Sequence, residues 1–394
     1  MRILFLAHDD ISSGSGRSLF EMVVGLKNFY NIVPVVITKK KNALYKACLG
    51  HDIECYRLRF GMCATFSQSI WMFLLTFFAD HFNNRRAYWK IKKMLDLSAI
   101  DLIHSNSSVI SFGAFLANKT GIPHVWHIRE FGDSDFHIHY SIQNMAQYIS
   151  ANANQVIAVS DVVKNHWVTR GIEANRVVVL YDGISKEMPM KISKKKSNNE
   201  VLSCVFCGWI DSPKRQRLAI DALALLPLDV RTCIHLDFYG FGNSVYLEQL
   251  ERVIQRKHLQ KNVHFCGYSE NLDRILCTYD VGLNCSRMEG YGRVTVEYML
   301  AGLCVIASDS GANSELIQHE KTGLLFRSGD AADLSKQLLK LYSDRQLSNR
   351  LSLAGNRWAH ENASFNVEIK GLYSLYGKIM ATNSSVTEEA LNGQ

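Results

Sequence analysis

Two glutamates separated by seven residues, Glu289 and Glu297, flank a glycine pair in the run CSRMEGYGRVTVEYMLAGLCVIAS, residues 285–308. Those residue types at that spacing suit recognition of phosphates and sugars. Gly290 and Gly292 let a ligand approach the backbone. A helix beginning near Gly292 presents unpaired N–H groups and a positive dipole end to phosphate. Glu297, on that helix, can accept two ribose hydroxyls, and Glu289, in the loop before it, can accept hydroxyls of a sugar lying over the loop. The competing reading is a capping loop with two solvated glutamates.

Other residues invite the same question. The loop DDISSGSGRS follows the first strand and opens a helix, so Gly14 and Gly16 can admit a ligand to the backbone. As a dinucleotide fingerprint it fails, because a third glycine and a clear acidic partner are missing. His127 ends the strand HVWHIR, at a carboxyl edge where such folds place their sites, facing the predicted cleft. Arg129, Glu130 and Asp133 beside it can read an acceptor. Asp133-Ser134-Asp135 spells Asp-x-Asp, too short a pattern to imply a metal. Cys204 and Cys207 form a C-x-x-C inside a buried-strand pattern, with no second ligand pair at zinc spacing. With the other cysteines they read as core residues in a reducing compartment.

These residues need elements to hold them. The first half alternates short apolar runs with helical periodicity: RILFLA, VPVVIT, AIDLIHS, HVWHIR, QVIAVS and RVVVLYDG are strand candidates. Continuous apolar strands alternating with helices indicate a parallel sheet covered on both faces. Residues 186–200, KEMPMKISKKKSNNE, are polar and aperiodic and read as a linker. The pattern then restarts with VLSCVFCGWI, RTCIHLDFYG, NVHFCGY, VGLNCS and LCVIAS. The division is an N-terminal Rossmann-like domain over 1–185, the linker, and a C-terminal Rossmann-like domain over 201–362. A helix over 363–380 packs back on the first domain, and a disordered tail fills 381–394. The expected class is α/β, two doubly wound domains facing across a cleft.

Composition bounds the function. With 394 residues, 47% hydrophobic and 21% charged, the chain is globular and too long for one core. A formal charge of +7 over that length is too small to imply a nucleic-acid partner, none is expected, and it suits an anionic ligand or membrane face. The start, MRILFLAHDD, meets two aspartates too soon for a signal peptide. Phe60 to Ala79 carries no charge over 20 residues and precedes a basic cluster, Arg85 to Lys93. Thr65, Ser67, Gln68, Ser69 and Thr76 dilute it, which disfavours spanning. Either residues 60–93 lie on an anionic membrane surface or the helix is buried beside a solvated basic neighbour.

The run SRMEGYGRVTVE resembles the Glu-x7-Glu signature of family-4 retaining glycosyltransferases of the GT-B fold. VLYDGI (179–184), AVSDVVKNHW (158–167), GANSELIQHEKTGLLF (311–326) and HIREFGD (127–133) resemble further family segments in the family's order along nearly the whole chain. The resemblance implies that Glu297 binds the ribose of a nucleotide-sugar and Glu289 holds the transferred sugar. Backbone amides around Gly290, Tyr291 and Gly292 would hold the diphosphate. Lys214, in DSPKRQRLAIDAL, matches the lysine that pairs with the diphosphate, and Gly14 and Gly16 lie under the donor's phosphates. His127 matches a histidine near the reacting sugar. The chain departs from the pattern twice: Gly208-Trp209 stands where the family has Gly-Arg, and Asp182-Gly183 where many members have Asn-Gly. Trp209 cannot supply a charge, which leaves Arg215 or Arg293 to do so.

The expected activity is retaining transfer of a sugar from a nucleoside diphosphate donor, UDP-linked by expectation, to a hydroxyl of a saccharide or lipid-linked saccharide in cell-surface polysaccharide synthesis. No cofactor or metal is expected, because Lys214 and the helix start account for the phosphate charge. The expected location is cytoplasmic, peripheral on the inner face of the plasma membrane. The rivals are a nucleotide-sugar epimerase of the same fold and a catalytically inactive nucleotide-sugar-binding protein.

Overall fold

A computed structural model describes residues 1–185 and 201–392. The linker expected over 186–200 lies outside the described residues. The chain divides into two compact units: Met1–Gly183 with Phe365–Gln394, and Ile184–Ser364. A lone parallel bridge between Ile184 and Ser364 marks where the chain leaves the first unit and returns to it.

The first unit is built on a seven-stranded sheet. In chain order its strands are β1 (Arg2–Ala7), β2 (Val33–Thr38), β3 (Glu54–Arg57), β4 (Leu102–Ser105), β5 (His124–Ile128), β6 (Gln155–Ala158) and β7 (Val177–Val179). Their spatial order is β3-β2-β1-β4-β5-β6-β7, all pairs parallel. β3 was not among the predicted strands. Its four residues, ECYR, carry two charges and give no apolar run. β1, β2, β4, β5 and β6 are buried beyond their first residues, as expected of a sheet covered on both faces, while the edge strands β3 and β7 are only part-buried.

The helix Gly14–Tyr30 shows why the local sequence folds as it does. Ser13 caps it by accepting from Gly16 N, Leu19, Met22, Val23 and Leu26 line its buried face, and Asn31 ends it with φ 51°. That face meets the chain's last helix, Phe365–Asn392, whose Ile369, Leu372 and Tyr376 join the same core. The tail predicted as disordered from 381 is therefore corrected: to Asn392 it continues this helix. Its polar, aperiodic composition hid the continuation, because an element already nucleated by packing can extend through residues of middling propensity.

The second unit holds a six-stranded sheet. Its strands are β8 (Leu202–Cys207), β9 (Ile234–Tyr239), β10 (Val263–Gly267), β11 (Val281–Asn284), β12 (Cys304–Ser308) and β13 (Leu324–Phe326). The order is β10-β9-β8-β11-β12-β13, again parallel throughout. In both units the order reverses direction at a central strand, β1 or β8, which is the doubly wound topology. Cys204 and Cys207 are buried on β8, and burial pushes both thiols up, as suits core residues. Among the described residues no group of three His, Cys, Asp or Glu could hold a metal.

Candidate functional site

In the second unit two loops at the carboxyl ends of adjacent strands are tied together. After β8, Asp211 accepts from Lys214 N at 3.2 Å and caps a short 3₁₀ turn, Ser212–Lys214. After β11, the loop 285–292 leads into the helix Arg293–Leu300, capped by Gly292. Arg287 N donates to Pro213 O at 3.0 Å and joins the two loops. That junction brings Lys214 Nζ to 2.7 Å from Glu289 Oε1. Burial disfavours the ammonium, but the Glu289 carboxylate beside it and Asp211 outweigh burial, and the Lys214 pKa is raised. It remains a full cation at neutral pH.

The Glu289 backbone is gripped from a third loop. Ala312 N donates to Glu289 O at 2.9 Å, and Gly311 (φ 59°) passes so close that a Cβ there would meet Glu289 N and O at 2.5 Å. No side chain fits at 311. Glu297 sits in the helix's second turn, 10% exposed, and receives Arg293 Nε at 3.1 Å. The helix is locked to the sheet by polar side chains that sequence reasoning passed over. Asn284 Nδ2 donates to Thr295 Oγ1 at 3.0 Å, and Thr295 Oγ1 donates to Asn313 Oδ1 at 2.9 Å. Cys207 N donates to the Tyr298 hydroxyl at 2.6 Å, anchoring the helix to the end of β8. Of this set only Asn284 gave a sequence signal, as a polar residue at the end of an apolar strand.

Lys214, Glu289, Gly290, Tyr291, Gly292, Arg293 and Glu297 thus share one connected loop-and-helix substructure. The two replacements for the missing arginine part company. Trp209 is 57% exposed, its carbonyl accepting from Gln216 Nε2 at 2.8 Å. Arg215 turns to the 328–329 loop and donates to Ser328 Oγ at 2.9 Å.

In the first unit the carboxyl ends of β4 and β5 carry a buried polar network. Arg129 donates Nε to Asn106 Oδ1 at 2.6 Å and NH1 to both Asp182 oxygens at 2.5 Å. The departure from Asn-Gly at Asp182-Gly183 therefore has a physical partner. His127 is fully buried rather than facing open space, its ring 5.3 Å from that of His104. Burial, then the charge of Arg129, pushes the His127 pKa well down, so the ring is neutral. Arg129 NH2 lies 3.4 Å from Nδ1 and can only donate, which places the ring proton on Nε2. That Nε2 has no hydrogen-bond partner among the described residues. His104, unnoticed in the sequence, is bonded through Nδ1 to the Tyr376 hydroxyl at 2.8 Å.

Two acceptor-side assignments change. Glu130 is spent internally: its carboxylate accepts from Ser107 Oγ, Ser108 N and Ser108 Oγ at 2.5–2.7 Å. Asp133 is half exposed but paired with Arg170 at 2.7 Å and His166 at 3.2 Å. Gly16 is required by its own loop, since a Cβ there would collide with Asp10 O, whereas Gly14 has open space beside it. Asp133 and Asp135 do not converge on one point, because Asp135 accepts from Phe131 N and Gly132 N at 3.0 and 2.7 Å.

Residues 42–187 match the model of Glycosyltransferase Family 4, and residues 188–358 that of Glycosyl transferases group 1. The chain belongs to these glycosyltransferases. The glycosyltransferase MJ1178 of Methanocaldococcus jannaschii is 25% identical over 302 residues, 74% of this chain and 80% of its own. The capsular polysaccharide biosynthesis glycosyltransferase CapH of Staphylococcus aureus is 24% identical over 241 residues, 59% of this chain and 66% of its own. Among solved structures, Anabaena Alr3699/HepE in complex with UDP superposes with a TM-score of 0.79 at 18% identity, over 96% of this chain and 100% of that one. The fold of this glycosyltransferase is GT-B.

Proposed function

We propose that this glycosyltransferase moves a sugar, with retention of configuration, from a UDP-linked donor to a hydroxyl of a saccharide or lipid-linked saccharide in cell-surface polysaccharide synthesis. The observation that carries the reading is the Lys214–Glu289 ion pair, 2.7 Å long, in the loops that lead to the Gly292-capped helix. A charged pair at such a place is poised for exchange. An arriving diphosphate takes Lys214 and the helix N-terminus, and Glu289 is released to accept sugar hydroxyls. Glu297 takes the ribose. The UDP named with HepE and the capsular pathway named for CapH support the donor and the pathway class.

The chemistry follows from where charge develops. The bond from the sugar's anomeric carbon to the diphosphate breaks with its electron pair on the leaving oxygen. The acceptor oxygen bonds the same face of that carbon, and its proton passes to the departing phosphate. No carboxylate is assigned as a nucleophile. Lys214 stabilises charge that grows only in the transition state, which is what accelerates the step.

The test is UDP release from a panel of UDP-sugars, with and without a polyprenyl diphosphate-linked saccharide. Lys214→Ala should lower kcat by about 10²–10³-fold, the range for removing one such donor, with Glu289→Ala and Glu297→Ala also impaired. Full activity in all three variants overturns the assignment. Conversion of the UDP-sugar without acceptor marks an epimerase, and affinity without turnover marks a binding protein, the reading that Trp209 favours.

A further inference from the structure

The first unit carries a cavity of about 790 Å³ lined by five cationic side chains, Lys39, Lys40, Lys41, Arg57 and Arg59, with Phe60 on its wall. The sheet explains the gathering. β2 and β3 run parallel with Thr38 beside Arg57, so the loops that follow them leave the sheet at the same carboxyl edge. Among the described residues none of the five is ion-paired to a carboxylate. Asp80, which pulls on Lys39, has its own carboxylate committed to Ser111 Oγ at 2.5 Å and Asn84 Nδ2 at 3.1 Å. Lys39 feels the crowding: burial, then Arg59 and Lys40, lowers its pKa. Five like charges around an unfilled space repel one another, and a polyanion relieves that repulsion.

The cavity's remaining wall is Asn83, on the helix Ile70–Met94. Its buried residues, Asp80, Asn84, Ala87 and Ile91, all fall in the later turns. Its first turns are apolar on every side and exposed: Ile70 64%, Trp71 74%, Leu75 62% and Phe78 66%. A helix end of that kind finds its stable surroundings in lipid. Arg85, Arg86, Lys90, Lys92 and Lys93 follow along the same helix. The charged cavity and the apolar helix end are therefore carried by one helix, Asn83 standing five residues beyond Phe78.

We infer that this cavity holds the diphosphate of a membrane-anchored lipid carrier, with the first turns of the Ile70–Met94 helix among the acyl chains. A phosphodiester headgroup brings one negative charge to five cations, whereas a diphosphate brings more and fits the charge better. The inference rests on the lipid-linked acceptor of the proposed function and gives that acceptor a second point of attachment, remote in sequence from the donor-binding residues.

The experiment is vesicle flotation of the full chain on three compositions: phosphatidylcholine alone, phosphatidylcholine doped with polyprenyl diphosphate, and phosphatidylcholine with phosphatidylglycerol at matched surface charge. The wild type should float preferentially with the diphosphate vesicles. The variant Lys40→Ala, Lys41→Ala, Arg57→Ala, Arg59→Ala, all at exposed positions, should lose about 1000-fold in binding to those vesicles, from four cations near an anionic surface. It should keep the wild-type unfolding temperature and UDP affinity. Equal binding to the diphosphate and phosphatidylglycerol vesicles, or an unaffected variant, overturns the proposal. A diphosphate preference lost in the variant, in a protein that never glycosylates a polyprenyl-linked saccharide, upholds the site and overturns the acceptor reading alone.

Discussion

At the scale of single residues, the question is which cation replaces the arginine that Trp209 displaces. Arg215 has turned away to Ser328 Oγ, 2.9 Å distant, on an exposed loop. Arg293 stands in the first turn of the Gly292-capped helix, 14% exposed and held by Glu297 at 3.1 Å. Only the second stands in the helix that carries Glu297, at the start that the Glu289 loop leads into. Arg293→Ala should weaken UDP binding by about 10–100-fold, the range for losing a charge-assisted hydrogen bond. Arg215→Ala should change it by less than about threefold, as exposed polar contacts do. Isothermal titration with UDP decides between them, and a larger loss for Arg215→Ala would reverse the assignment. Glu297→Gln in the Arg293→Ala background separates the lost cation from the unbalanced carboxylate left behind.

At the scale of elements, the helix Ile70–Met94 is where sequence and structure inform each other most. The segment from Phe60 to Ala79 left a buried helix and a membrane-surface helix both open. The structure divides it: Phe60, Gly61 and Cys63 are buried outside any helix, and the helix starts at Ile70 with its first turns exposed. No helix among the described residues is long and apolar enough to cross a membrane. Replacing Trp71, Phe77 and Phe78 together by Ser should reduce co-sedimentation with anionic vesicles by on the order of 100-fold or more, since each large apolar side chain contributes about 1.5–3 kcal/mol when buried. Unchanged sedimentation would remove the membrane role from this helix. All strands but β3 and β13, and the Glu289–Glu297 segment, were legible because both are local patterns, an apolar run and a fixed spacing. What escaped was long-range: Asp182 meets Arg129 across 53 positions and Tyr376 meets His104 across 272. Glu130 looked available for an acceptor because its partners, Ser107 and Ser108, follow a different strand.

At the scale of the molecule, the two units differ in how they bury histidine, and this predicts unequal tolerance of acid. His104, His124 and His127 are fully buried on β4 and β5, while no histidine of the second unit is buried among the described residues. Burial is the main cause in all three, lowering His124 to about 4 and the other two well below the ordinary value; Arg129 adds to the effect at His104 and His127. An unfolded histidine titrates near 6.5, so below that pH the unfolded chain binds protons that these rings refuse. The stability they leave intact above about pH 6.5 is therefore lost as pH falls toward 4, by roughly 1.4 kcal/mol per pH unit per ring and about 4 for the three. His166 adds in the same sense, and Asp80, whose carboxyl is raised by burial, opposes as a single group. Amide hydrogen exchange between pH 7 and pH 5 should show peptides of β4, β5 and β6 opening before those of β8 and β11. His124→Gln should flatten the dependence by about one proton. Simultaneous loss of protection in both units, or earlier loss in the second, would show that the buried rings do not set the acid limit of the first unit.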